Sequence, residues 1–138
     1  MRHLLVITYV LDEDHPALAW QRRVVEALAA RVERVTVLTE QRGRGELPAN
    51  VRVLMLPHRP FGVPRRLGGG WLAAPGVLAR LRADPPDACF VHMASEWVYR
   101  LGWVLRRLRL PVVLWYAHGT VTRRLRLAIA VADRVVTS

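Results

Sequence analysis

The chain has 138 residues, enough for one domain with a real core and too few for two, and its 52% apolar content is that of a folded protein rather than a disordered one. Net charge is +10 and all 21 basic residues are arginine; the stretches Leu47–Ala83 and Trp97–Ala132 hold no acidic residue, which suits a surface that meets phosphate. A single cysteine, Cys89, excludes an internal disulfide and points to a reducing, cytoplasmic setting, while no apolar run approaches the roughly 20 residues of a membrane helix.

Taken in order, Leu4–Tyr9 reads as a buried strand, and it is too short for a secretory signal. Val10–Pro16 is a polar loop, with Asp14 or His15 near the cap of a helix over Ala17–Val32. Trp20, Val24, Leu28 and Val32 form that helix's apolar stripe; Arg22, Arg23, Glu26 and Arg31 lie off it. Arg34–Thr39 is a second strand, Gln41–Asn50 a loop, and Val51–Leu56 a third strand. His58–Gly70 reads as an exposed excursion. A helix over Trp71–Ala83 follows, irregular at Pro75–Gly76, then a fourth strand, Ala88–His92. Ser95 is placed to cap a helix whose stripe is Trp97, Leu101, Val104, Leu105 and Leu108.

The stretch Pro111–Gly119 is the one the rest is organised around. Its unbroken apolar run, Val112–Tyr116, suits a strand buried on both faces, opened by Pro111. Thr120 is expected to cap a helix over Val121–Ala132, and Arg134–Thr137 begins a last strand. Strands alternating with amphipathic helices predict a single Rossmann-like α/β domain: a mostly parallel sheet with helices on both faces. The last strand stops at Ser138, so a continuation of the chain is expected.

Several chemistries lack their residues. No glycine follows the first strand, so there is no dinucleotide fingerprint; no Walker A sequence, serine elbow, H-E-x-x-H or cysteine pair occurs, and no metal site is expected. In a parallel sheet the polar residues after the strands gather at the carboxyl edge, where ligands bind. They are Asp12, Glu13, Asp14 and His15 after the first strand, His92 and Glu96 after the fourth, and His118, Gly119 and Thr120 after the fifth. The acidic cluster reads either as a solvated capping loop or as part of a site, and His92 either as a strand-closing residue or as a ligand contact. His118, beside a helix start, reads as functional. Arg123 and Arg124 stand in a first helical turn, where the dipole disfavours cations, which suggests a recruited anion.

Trp115–Tyr116–Ala117–His118–Gly119, Leu125–Arg126–Leu127–Ala128 and Ala132–Asp133–Arg134–Val135–Val136–Thr137–Ser138 together resemble the N-terminal domain of family 4 glycosyltransferases; Tyr9–Pro16 is similar to the first-strand loop in one branch. The resemblance implies the GT-B architecture, two Rossmann-like domains facing across a cleft. Residues 1–138 would be the acceptor-side domain, and a C-terminal domain, absent here, would bind the nucleotide-sugar donor and carry an E-x7-E pair. The family's glycine-rich turn is replaced here by Asp12–His15. By the resemblance His118 lines the cleft near the transferred sugar and orients its hydroxyls, and Asp12 and its neighbours face a glycan or lipid-linked acceptor; the chain alone would be inactive. No tightly bound cofactor and no nucleic acid are expected, the latter because no binding motif occurs. Arg59, Arg65 and Arg66, interleaved with Phe61, Leu67, Trp71 and Leu72, predict peripheral contact with an anionic membrane at its inner face. The other reading is a non-catalytic Rossmann-like binding module.

Overall fold

A computed structural model describes residues 1–57 and 70–137, without the side chains of 70–72. The excursion bearing Arg59, Arg65 and Arg66 therefore lies outside the described residues. The elements are β1 (His3–Ile7), β2 (Val10–Leu11), α1 (Trp20–Ala29), β3 (Arg34–Thr39), β4 (Gln41–Arg42), β5 (Val51–Met55), α2 (Gly70–Ala83), β6 (Ala88–His92), α3 (Ser95–Arg100), α4 (Gly102–Arg107), β7 (Val112–Trp115), α5 (Arg123–Ile129) and β8 (Arg134–Val136). Six strands form a parallel sheet in the order β5-β3-β1-β6-β7-β8. The strand order runs outward in both directions from β1 and β6, as in a doubly wound Rossmann-like domain. Among the described residues no helix is long and apolar enough to cross a membrane.

Alternation along β1 divides the core. Leu5 and Ile7 face α2, α3, α4 and α5, together with Cys89, Val91, Val112 and Leu114. Leu4 and Val6 face α1, together with Val35 and Val37. The helix layers thus lie on both faces, and among the described residues α1 is the helix that covers the second. This corrects the expectation for Val112–Tyr116. Val112 and Leu114 are buried and Val113 and Trp115 only half-buried: the first pair faces the larger helix layer, whereas on the other face Trp115 meets α1 through Trp20. The strands buried on both faces are β1 and, from Val35 on, β3. Pro111 precedes β7, and its carbonyl accepts from Cys89 N at 2.8 Å.

Three more expectations change. α1 starts at Trp20 and buries Gln21, Arg22, Val25 and Ala29, a face rotated from the apolar stripe. Arg22 is buried because acceptors surround it: the neighbouring loop supplies the Arg44 and Glu46 carbonyls at 3.0 and 2.6 Å, and α1 itself the Glu26 carboxylate at 2.8 Å. The loops after β1 and β3 are not wholly irregular, since β2 and β4 pair in parallel. Finally, the helix expected after Ser95 is two. It breaks at Leu101, and Gly102 leaves space for Val131, whose side chain a Cβ there would meet at 2.8 Å. Helix α2 continues through Pro75, held by Ala74, Val77, Leu78 and Leu81 in the core.

Candidate functional site

The carboxyl ends of β1 and β6 flank the point where the strand order reverses, and a hollow of about 600 Å³ opens there. Tyr9 enters it just beyond β1, Met93 and Ser95 just beyond β6, Trp115 to His118 from the end of β7, Ala17 and Leu18 just before α1, and Trp20 and Gln21 from its start. The sharp corner after β6 requires Met93 to adopt φ 63°, the left-handed region that an unbranched non-glycine residue enters at a cost. That corner is held by Met93 N donating to Trp115 O at 2.9 Å and by Ser95 N donating to Met93 O at 2.9 Å. Ala117 N faces the Met93 sulfur at 3.1 Å, a weak acceptor that an incoming oxygen would outcompete.

Aromatic side chains make the walls. Trp20 packs edge-on against Trp115 with centroids 5.6 Å apart and against His92 at 4.5 Å; His92 stacks on Trp115 at 4.8 Å. His118 is exposed at the rim, edge-on to Tyr116 at 5.6 Å. Tyr9 is pushed up to about 12, by burial first and then by the negative charge of Glu96. Its phenol therefore stays protonated and serves as a neutral hydrogen-bonding group.

The expected site residues separate. His118 is at the hollow, with Gly119 and Thr120 exposed just beyond it. Thr120 is not the cap: Thr122 Oγ1 accepts from Leu125 N at 3.1 Å, so α5 starts two residues later. His92 is only 2% exposed, closed under Trp20 and Trp115, and burial pushes it down to about 4, so it is neutral. Ser95 is the first residue of α3 rather than its side-chain cap. Asp12, Glu13, Asp14 and His15 do not line the hollow. Asp12 packs against Gly43 and accepts from Asp14 N at 3.0 Å, and Glu13 pairs with Arg22 at 3.6 Å. His15 Nδ1 accepts from Ala17 N and Leu18 N at 3.2 and 3.0 Å. The acidic stretch is thus a folded capping loop beside the hollow. Glu96 is held by Arg100 at 2.5 Å and Arg124 at 3.3 Å, so the anion facing Arg124 is the protein's own; Arg123 is exposed. Among the described residues no group of three or more His, Cys, Asp or Glu could hold a metal.

Gln21, Trp20 and Met93 were missed as site residues. Trp20 looked like core from its spacing, Gln21 falls off the stripe, and a positive φ at Met93 leaves no mark in composition. The neighbouring aromatics Trp115 and Tyr116 at a strand end were the one legible signal.

No family model matches the chain, and no curated protein matches it in sequence. Solved structures do. MurG from Acinetobacter baumannii matches at TM-score 0.64 and 16% identity, over 100% of this chain and 41% of MurG. UGT89C1 from Arabidopsis thaliana, complexed with UDP, matches at 0.63 and 16%, over 99% of this chain and 42% of its own. Both are GT-B glycosyltransferases, and this chain spans about two fifths of their length. The nicotinamidase SaPncA of Staphylococcus aureus matches at 0.55 and 13%, over 98% of each chain. At such identities the likeness is one of fold: an α/β, Rossmann-like domain of the kind found in GT-B enzymes. That a nicotinamidase shares it means the chemistry rests on the site.

Proposed function

We propose that this chain is the acceptor-side domain of a glycosyltransferase, with the hollow at the strand-order reversal receiving the acceptor. The observation that carries this reading is an aromatic-walled hollow at the edge where open α/β sheets bind ligands, with an exposed histidine at its rim. Trp20 and Trp115 offer apolar faces for a ring, and His118 orients the hydroxyl that is to receive the sugar by hydrogen bonding to it. The nucleotide-sugar donor then belongs to a partner domain across a cleft, and the Arg-rich excursion to a lipid surface carrying the acceptor. The GT-B neighbours support a glycosyltransferase-like domain; the acceptor role is our reading.

The test is an NMR titration of this chain with glycoside and aryl-alcohol acceptors and, separately, with UDP, following the tryptophan indole and histidine resonances. Acceptors, and not UDP, are expected to shift Trp20, Trp115 and His118. Shifts caused by UDP alone would sink the reading. Acceptor binding with no sugar transfer by the complete protein would leave a non-catalytic binding module.

A further inference from the structure

One residue that lines the hollow carries a buried side-chain donor with no partner among the described residues. Gln21 is fully buried at the start of α1, and its Oε1 accepts from Val10 N at 3.0 Å. That bond fixes the amide's orientation, because a backbone N–H must face the oxygen. The Nε2 group therefore points the other way, and it has no hydrogen-bond partner among the described residues. Two further unpartnered atoms lie on the same side of the sheet. One is Thr8 Oγ1, just past β1; the other is His92 Nδ1, at the end of β6 and under Trp20. Thr8 follows Ile7, which pairs with Val91, so the register sets it beside His92. Of the three residues only Gln21 also lines the hollow. Buried polar groups in native proteins are nearly always satisfied, and an orphan on a residue bordering a ligand-sized hollow is a place for a ligand's polar atom to reach.

The walls limit what that ligand is. Among the described residues the lining is mostly apolar and aromatic, Leu18, Trp20, Met93, Trp115 and the rings of Tyr9 and Tyr116, with Ser95, Gln21 and His118 as its other polar side chains and no carboxylate or arginine. A pyranoside carries hydroxyls all round its ring, and each one buried without a partner loses water for nothing. A flat apolar ring with few oxygens loses little and stacks on the tryptophans. Resting on the acceptor-side reading above, we propose that the hollow selects a hydroxylated aromatic ring whose buried oxygen accepts from Gln21 Nε2. A second hydroxyl at the rim would then meet His118. Gln21 is thus a specificity-determining residue.

The probes are 2-naphthol, naphthalene and methyl β-D-glucopyranoside, titrated into this chain while the Gln21 side-chain NH2 and the Trp20 and Trp115 indole resonances are followed. 2-Naphthol is expected to bind about tenfold more tightly than naphthalene, and more tightly than the glucoside, and to move the Gln21 NH2 pair, which naphthalene leaves in place. Gln21→Met should bring the two naphthalenes to within about twofold of each other. Should that variant fail to fold, the NH2 shift in the wild-type chain decides the matter alone. Equal binding of the two naphthalenes, an oxygen preference retained in Gln21→Met, or tighter binding of the glucoside overturns the aromatic class while leaving the acceptor reading intact. A lowered melting temperature in Gln21→Met with the preference unchanged assigns the amide to a buried water and overturns it too. If no probe binds and UDP shifts Trp115, the acceptor reading falls as well.

Discussion

At the amino edge of the sheet the buried His3 and Thr36 and the exposed Asp87 all have partners. His3 Nε2 meets Thr36 Oγ1 at 2.8 Å, its Nδ1 faces the Pro85 carbonyl at 3.3 Å, and Asp87 accepts from the backbone N–H groups of Arg2 and His3 at 2.8 and 2.9 Å. At the carboxyl edge Thr8, Gln21 and His92 each keep a buried atom without a partner among the described residues, and Met93 holds a left-handed backbone. One end of the same sheet is finished as structure; the other carries the local costs that accompany function.

The largest effect that would sharpen this contrast is at His118. On the proposed acceptor role, His118→Ala in a protein that also carries the donor domain is expected to lower sugar transfer by about 10²–10³, roughly 2.7–4 kcal/mol, with an unchanged melting temperature. Steady-state rates and a thermal melt check it; an unfolded variant would make His118 structural. Next is acid sensitivity. His92 is held near 4 when folded and titrates near its ordinary 6.5 when unfolded. The unfolded chain therefore takes up that proton first, and stability is complete above pH 6.5 and falls by up to about 3 kcal/mol between 6.5 and 4. His92→Leu should flatten that window in denaturant titrations. The amino-edge carboxylate behaves differently. Asp87 is held below its ordinary value by the N–H groups of His3 and Arg2, so its contribution is present above about pH 4 and lost only as pH falls below it. Third, His3→Leu strands the Thr36 hydroxyl and should cost about 2 kcal/mol in urea unfolding with no change in ring binding. A loss of binding there would erase the distinction between the edges. Smallest is the helix start beside the hollow. Thr122→Ala should cost about 1 kcal/mol by thermal melt and Thr120→Ala nothing measurable, because only Thr122 accepts from the α5 backbone.

The main strands were legible from short apolar, β-branched runs between turn signals: β1, β6 and β7 are nearly continuous, while β3 and β5 keep theirs around one polar residue, Thr36 and Arg52. The face of α1 was not, because counting apolar spacing cannot see that Val10 N, Arg44 O and Glu46 O supply partners for Gln21 and Arg22. The two-residue strands β2 and β4 are too short for any period. The exit from α3 was written in Gly102, but its meaning depends on Val131, far along the chain. At the site, His118 was legible from its place after a strand. The closure of His92 depends on Trp20 crossing over from α1, a tertiary contact that spacing does not encode.

The strand order has a consequence for how the chain comes to be folded. β1 pairs with β3 on one side and, through Leu4 and Ala88, with β6 on the other. Parallel pairs have no hairpin to shorten the search, so each join closes a long loop. As the chain leaves the ribosome, β1, β3, β5 and α1 can assemble around Leu4, Val6, Val35 and Val37. Leu5 and Ile7 on the opposite face must wait for α2 and everything after it, and β1 keeps an open hydrogen-bonding edge until Ala88–His92 arrives. That interval is when the nascent chain is most exposed to intermolecular strand pairing and to chaperones that shield it.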